Sequence, residues 1–84
     1  MLFFLLACAE EPPPAQGPEC AAYVDCLAAW DEARGITTDV ARFSADGDCW
    51  GGSEEGARAC TEACVNGLAF LVDRVPDLPD ACKP

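Results

Sequence analysis

The apolar positions of this chain fall into three patterns, and each predicts a different element. Residues 1–7 are an unbroken apolar run, Met-Leu-Phe-Phe-Leu-Leu-Ala. From Ala57 onward the apolar residues Ala57, Cys60, Cys64, Leu68, Leu71 and Val75 recur at gaps of 3, 4, 4, 3 and 4, which is one face of an α-helix. Between Pro18 and Arg34, Tyr23, Cys26, Leu27 and Trp30 share a face at gaps of 3, 1 and 3. Asp25, Asp31, Glu32 and Arg34 are expected on the opposite, solvated side. Two helices follow from this pattern, with a polar connection between them and a short tail.

Local signals set the boundaries. Pro18 and Glu19 place a proline in a first turn and an acid beside the positive end of the helix dipole, and Gly35 is a natural stop. Ser53 is the expected N-cap of the second helix, with Glu54 and Glu55 in its first turn, and the helix runs to about Arg74, ahead of Val75-Pro76. Gly56 and Gly67 are its weak points. In the connection, Thr37-Thr38-Asp39 is expected to cap a short helical turn carrying Val40 and Phe43, and Asp46-Gly47-Asp48 reads as a turn. A loop of this length needs a pin, which Cys49 and Trp50 supply. The tail from Pro76 to Cys82 contains two prolines and is expected to be extended, fastened by Cys82. Tyr23 and Trp30 are expected in the core, where their area counts most.

Length changes the picture, because 84 residues bury too little apolar surface to stand comfortably without staples. The chain has seven cysteines, a density that points to an oxidising compartment. Cys60 and Cys64 lie one turn apart on a helix, with Cβ atoms roughly 5–6 Å apart. A disulfide needs about 3.8 Å, so each must reach another segment. Six cysteines allow about fifteen connectivities. If the helices form an antiparallel hairpin, Cys20 lies at the end where Cys82 follows the second helix, Cys49 lies beside Cys60, and Cys26 faces Cys64 at mid-height. The expected set is therefore Cys20–Cys82, Cys26–Cys64 and Cys49–Cys60, with Cys20–Cys64, Cys26–Cys60 and Cys49–Cys82 as the alternative. The fold expected is a small all-α, disulfide-stapled antiparallel helical hairpin with a long pinned loop and an extended tail.

Charge and composition narrow the chemistry. The formal net charge is −10, from 15 acidic and five basic residues, and such a chain repels phosphate backbones and anionic head groups. No nucleic-acid partner is expected. The charge is read as a solvated surface, or else as an acidic face for a basic partner. Histidine is absent, which removes the commonest general base and the commonest metal ligand. Ser44 and Ser53 have nothing to activate them, and Glu54 and Glu55 point apart on a helix. There is no Cys-x-x-Cys for thiol redox work, and the cysteine spacings do not make zinc knuckles. Asp46, Asp48, Glu54 and Glu55 invite calcium, but Trp50 and Ala57 fall where the EF-hand pattern needs acids. No catalytic residue, cofactor or metal site is expected, and the chain is read as a non-enzyme.

The apolar run of residues 1–7 is far shorter than the roughly 20 residues that cross a bilayer as a helix, and it reads as a signal segment. Leu5-Leu6-Ala7-Cys8 resembles a bacterial lipobox. That resemblance implies cleavage before Cys8 and lipidation of its sulfur, and it leaves six cysteines of seven to pair. No Lys or Arg precedes the apolar run, so either the start lies upstream of Met1 or export is inefficient. Residues 8–18 then form a lipidated cysteine and a proline-rich tether, and residues 19–84 the helical domain. The order Cys20-x5-Cys26, Asp48-Cys49-Trp50, Ala59-Cys60-Thr61-Glu62-Ala63-Cys64 and Cys82 is similar to the small cysteine-rich lipoproteins that myxobacteria and related bacteria encode in many copies. The likeness spans about three quarters of the chain. It implies an exported module held to the membrane by its N-terminal lipid, non-catalytic, with an interaction or structural role and an unknown protein partner; a monomer is expected. Ala9 after Cys8 is not the aspartate associated with inner-membrane retention, which favours the outer membrane. The chain also resembles helical-hairpin protease inhibitors in having two cysteine-bearing helices, although the first helix has x5 where they have x3. Arg42 is the residue that this alternative would put to use. A thiol redox or metal-binding protein is the remaining reading.

Overall fold

A computed structural model of the chain describes residues 14–83. Among them are two α-helices, three 3-10 turns and no strand, so the small all-α, disulfide-stapled fold is as expected. Helix α1 spans Pro18–Arg34. It begins with proline in its first turn and ends on Gly35, whose φ of 71° lets its N–H turn back to the Asp31 and Glu32 carbonyls. Helix α2 spans Glu54–Arg74, and the Ser53 hydroxyl caps it by accepting the Gly56 N–H at 3.0 Å.

The sense in which the helices meet departs from the antiparallel expectation. Cys20 is bonded to Cys64, an offset of 44 residues. At the same offset Gly67 lies against the Tyr23 ring, and Leu27 and Leu71 share a buried cluster. Residue numbers therefore rise together along the two helices, which lie side by side in the same direction. The segment 35–53 makes this possible by running back along α1. Thr38 is tied to Asp31 near the end of α1. Val40 packs into the cluster of Cys26 and Leu27. Phe43 meets Tyr23 edge to face at 5.7 Å, and its carbonyl accepts the Gln16 side-chain N–H at 2.8 Å. Helix α2 then starts at the end where α1 starts.

This course corrects two of the three expected disulfides. Cys20 pairs with Cys64 and not Cys82, and Cys26 pairs with Cys82 and not Cys64; Cys49–Cys60 is as expected. In the co-directional register position 70 comes level with Cys26, and that position is the exposed Phe70. Cys26 is left for the tail. Cys60 and Cys64 each reach a different segment, as their helical spacing requires.

The tail is only partly extended. After α2 the chain turns at Asp77, whose φ of 60° is left-handed, a conformation that short polar side chains tolerate best. It then doubles back, packs Leu78 against the cluster that holds Cys26, Leu27, Leu71 and Cys82, and closes in a 3-10 turn at Asp80–Cys82. The core has two lobes. One gathers Cys20, Cys49, Trp50, Ala57 and Cys64, the other Cys26, Leu27, Leu71 and Cys82. Tyr23 lies against both, and Trp30 is packed against the second.

Candidate functional site

Sulfur makes up much of this core. Cys20, Cys26 and Cys64 are completely buried, where the chain is too short to bring enough large side chains together. Cys20–Cys64 fixes α1 to α2, Cys26–Cys82 fixes the tail to the middle of α1, and Cys49–Cys60 fixes the 3-10 turn at Asp48–Trp50 to the second turn of α2. Trp50 beside that last bridge is buried, and its indole N–H donates to the Ser44 carbonyl at 2.8 Å. The expected pin of the loop is thus made by both residues. Cys8 lies outside the described residues, as does the whole apolar run.

Asp31 is the polar centre that its place in the sequence pattern does not announce. It is 7% exposed, not on the solvated side of α1. Its carboxylate accepts the Thr38 backbone N–H at 2.6 Å, the Thr38 hydroxyl at 2.9 Å and an Arg34 N–H at 2.8 Å. Burial pushes its carboxyl up, but the two Thr38 hydrogen bonds and the Arg34 charge outweigh it and leave the carboxyl below its ordinary value. Arg34 also lies over the Trp30 ring, 3.5 Å from its centroid. The signal that was available is an acid near the negative end of a helix, where the dipole disfavours it.

Arg42 is exposed within the 3-10 turn Ala41–Phe43. It borders an open groove of about 430 Å³ formed with Asp48, Cys49, Gly52, Ser53, Gly56 and Cys60. Ser44 and Ser53 are occupied as acceptors in the fold, the first by its carbonyl and the second by its hydroxyl. Glu54 and Glu55 are exposed in the first turn of α2. Among the described residues no three His, Cys, Asp or Glu side chains gather in a way that could hold a metal ion, and no helix is long and apolar enough to cross a membrane.

A second groove, of about 290 Å³, is lined by Ala22, Leu68, Ala69, Val72 and the tail at Ala81–Lys83. Val65, Phe70 and Val72 are large apolar side chains left exposed on α2. Compared with protein families, curated proteins and solved structures, the chain shows no match.

Proposed function

We propose that this chain is an exported small lipoprotein, held to the cell envelope by a lipid on Cys8 and acting there as a non-catalytic interaction or structural module. The observation that carries the reading is the pairing of the cysteines. All six from Cys20 to Cys82 bond among themselves, so the seventh, Cys8 in Leu5-Leu6-Ala7-Cys8, is left for a thioether. Three disulfides in so short a domain fit an oxidising compartment. The proline-rich residues 12–14 fit a spacer between an anchor and a packed unit. The apolar side chains exposed on α2 offer a surface on which a protein partner could dock. Sorting to the outer membrane is the preferred destination, on the strength of Ala9.

The protease-inhibitor alternative draws less support. Arg42 belongs to a helical turn, whereas a residue offered to a protease cleft is ordinarily held extended, as a strand-like segment is.

Intact mass of protein extracted from membranes tests the proposal. The expected species begins at Cys8, carries a diacylglyceryl group and lacks six hydrogens. A mature form that retains residues 1–7, or a Cys8 free of lipid, overturns it.

A further inference from the structure

The three disulfides are not equally open to solution. Both sulfurs of Cys20–Cys64 belong to residues with no exposed surface, and Cys26–Cys82 joins residues that are 0% and 2% exposed. In Cys49–Cys60, Cys49 is 8% exposed and Cys60 is half-buried, and both border the open groove beside Arg42. Thiol–disulfide exchange requires a thiolate to approach a sulfur along the line of the bond, so access governs its rate. Arg42, which lines the groove, favours an arriving thiolate and the thiolate that departs, while Asp48, the only acidic residue lining it, opposes them.

The bridge also has something to release. It closes a segment of only 11 residues, and it holds the Asp48–Trp50 turn against α2 while the other two bridges independently tie α1 to α2 and to the tail. Trp50, next to Cys49, belongs to the first lobe of the core together with Ala57 and Cys64.

We propose that Cys49–Cys60 is a thiol-exchange site and a clasp: dithiol reductants open it selectively, freeing Trp50 and the 3-10 turn while the helix pair stays locked. A thiolate of the dithiol attacks the sulfur of Cys60, the more exposed residue of the two, and Cys49 leaves as a thiolate and takes a proton. The second thiol of the reductant then displaces Cys60, closing its own disulfide. Two electrons pass from the dithiol to the bridge, and no other reactant is consumed.

The test uses the oxidised protein with Trp30→Phe as its only change, so that tryptophan emission reports Trp50 alone. Native protein is exposed to dithiothreitol, quenched with iodoacetamide over a time course and mapped by peptide mass. Carbamidomethyl groups are expected on Cys49 and Cys60 at least about tenfold sooner than on the other four cysteines. Trp50 emission shifts to the red in step with that labelling, and helical circular dichroism is retained. Prior labelling of Cys20, Cys26, Cys64 or Cys82, or loss of all three bridges together, overturns the selectivity. Labelling of Cys49 and Cys60 with unchanged Trp50 emission overturns the clasp.

Discussion

Asp31 shows how one side chain can join two levels of the fold. It sits in the last turn of α1, yet its partner Thr38 is seven residues on, so it fixes the direction in which the chain leaves the helix. A carboxyl held below its ordinary value in the folded state contributes stability above the unfolded value, and that contribution is lost as pH falls through the folded one. Asp31→Asn is therefore expected to lower Tm at neutral pH. It is also expected to flatten the fall of Tm on acidification below the usual carboxylate range, as read by thermal melts across pH. Two glycines carry a second residue-scale prediction. A Cβ on Gly47 falls on the Ala41 and Arg42 carbonyl oxygens, which are backbone and cannot swing aside. On Gly67 it meets the Tyr23 ring at 2.8 Å, which can shift, and alanine restores about 1 kcal/mol of helix propensity. Gly47→Ala is expected to cost about 1–3 kcal/mol, and Gly67→Ala distinctly less, in paired denaturant titrations.

At the scale of elements, much was legible because capping chemistry is local. Pro18, Gly35 and Ser53 mark helix ends that the structure places where those residues predict. Thr37-Thr38-Asp39 does precede a helical turn, with Asp39 accepting the Ala41 N–H at 3.2 Å. What local signals do not contain is the route of a connection. The segment 35–53 has no periodicity, and nothing within it says whether it turns sharply, leaving α2 antiparallel, or runs back along α1. Val40 and Phe43 decide this by packing into successive lobes of the core, and only the assembled fold reveals that. The misplacement of Cys26 and Cys64 follows from that one unknown. Gly67 was legible as a weak point and not as the space for Tyr23, since its reason lies on the other helix. The tail supplies an element-scale prediction. With Cys26 and Cys82 both changed to alanine, residues 76–83 lose their attachment and stability falls by about 2–4 kcal/mol. The α-helical circular dichroism of the folded protein is expected to stay near that of the wild type, because Cys20–Cys64 still joins the helices.

For the whole molecule, crosslinks replace the interior that a longer chain would bury. By the loop-entropy relation the closures of 44 and 56 residues each contribute about 4 kcal/mol and the closure of 11 residues about 3 kcal/mol. The terms are not additive, yet any one is a large fraction of the stability of a small domain. The most accessible bridge is also the one that closes the shortest segment, and the opening proposed there keeps the two longer closures intact. The six cysteines of the described residues pair among themselves, and the proposed anchor rests on Cys8 standing outside that set.

The connectivity of the six cysteines therefore tests the account most directly. Trypsin, Glu-C and chymotrypsin together separate Cys20 from Cys26 at Tyr23, and Cys60 from Cys64 at Glu62. Every bridge can then be read singly by mass spectrometry of the unreduced digest. The expected peptides join Cys20 to Cys64, Cys26 to Cys82 and Cys49 to Cys60. Peptides joining Cys20 to Cys82 and Cys26 to Cys64 would contradict it, for those bridges belong to an antiparallel pair.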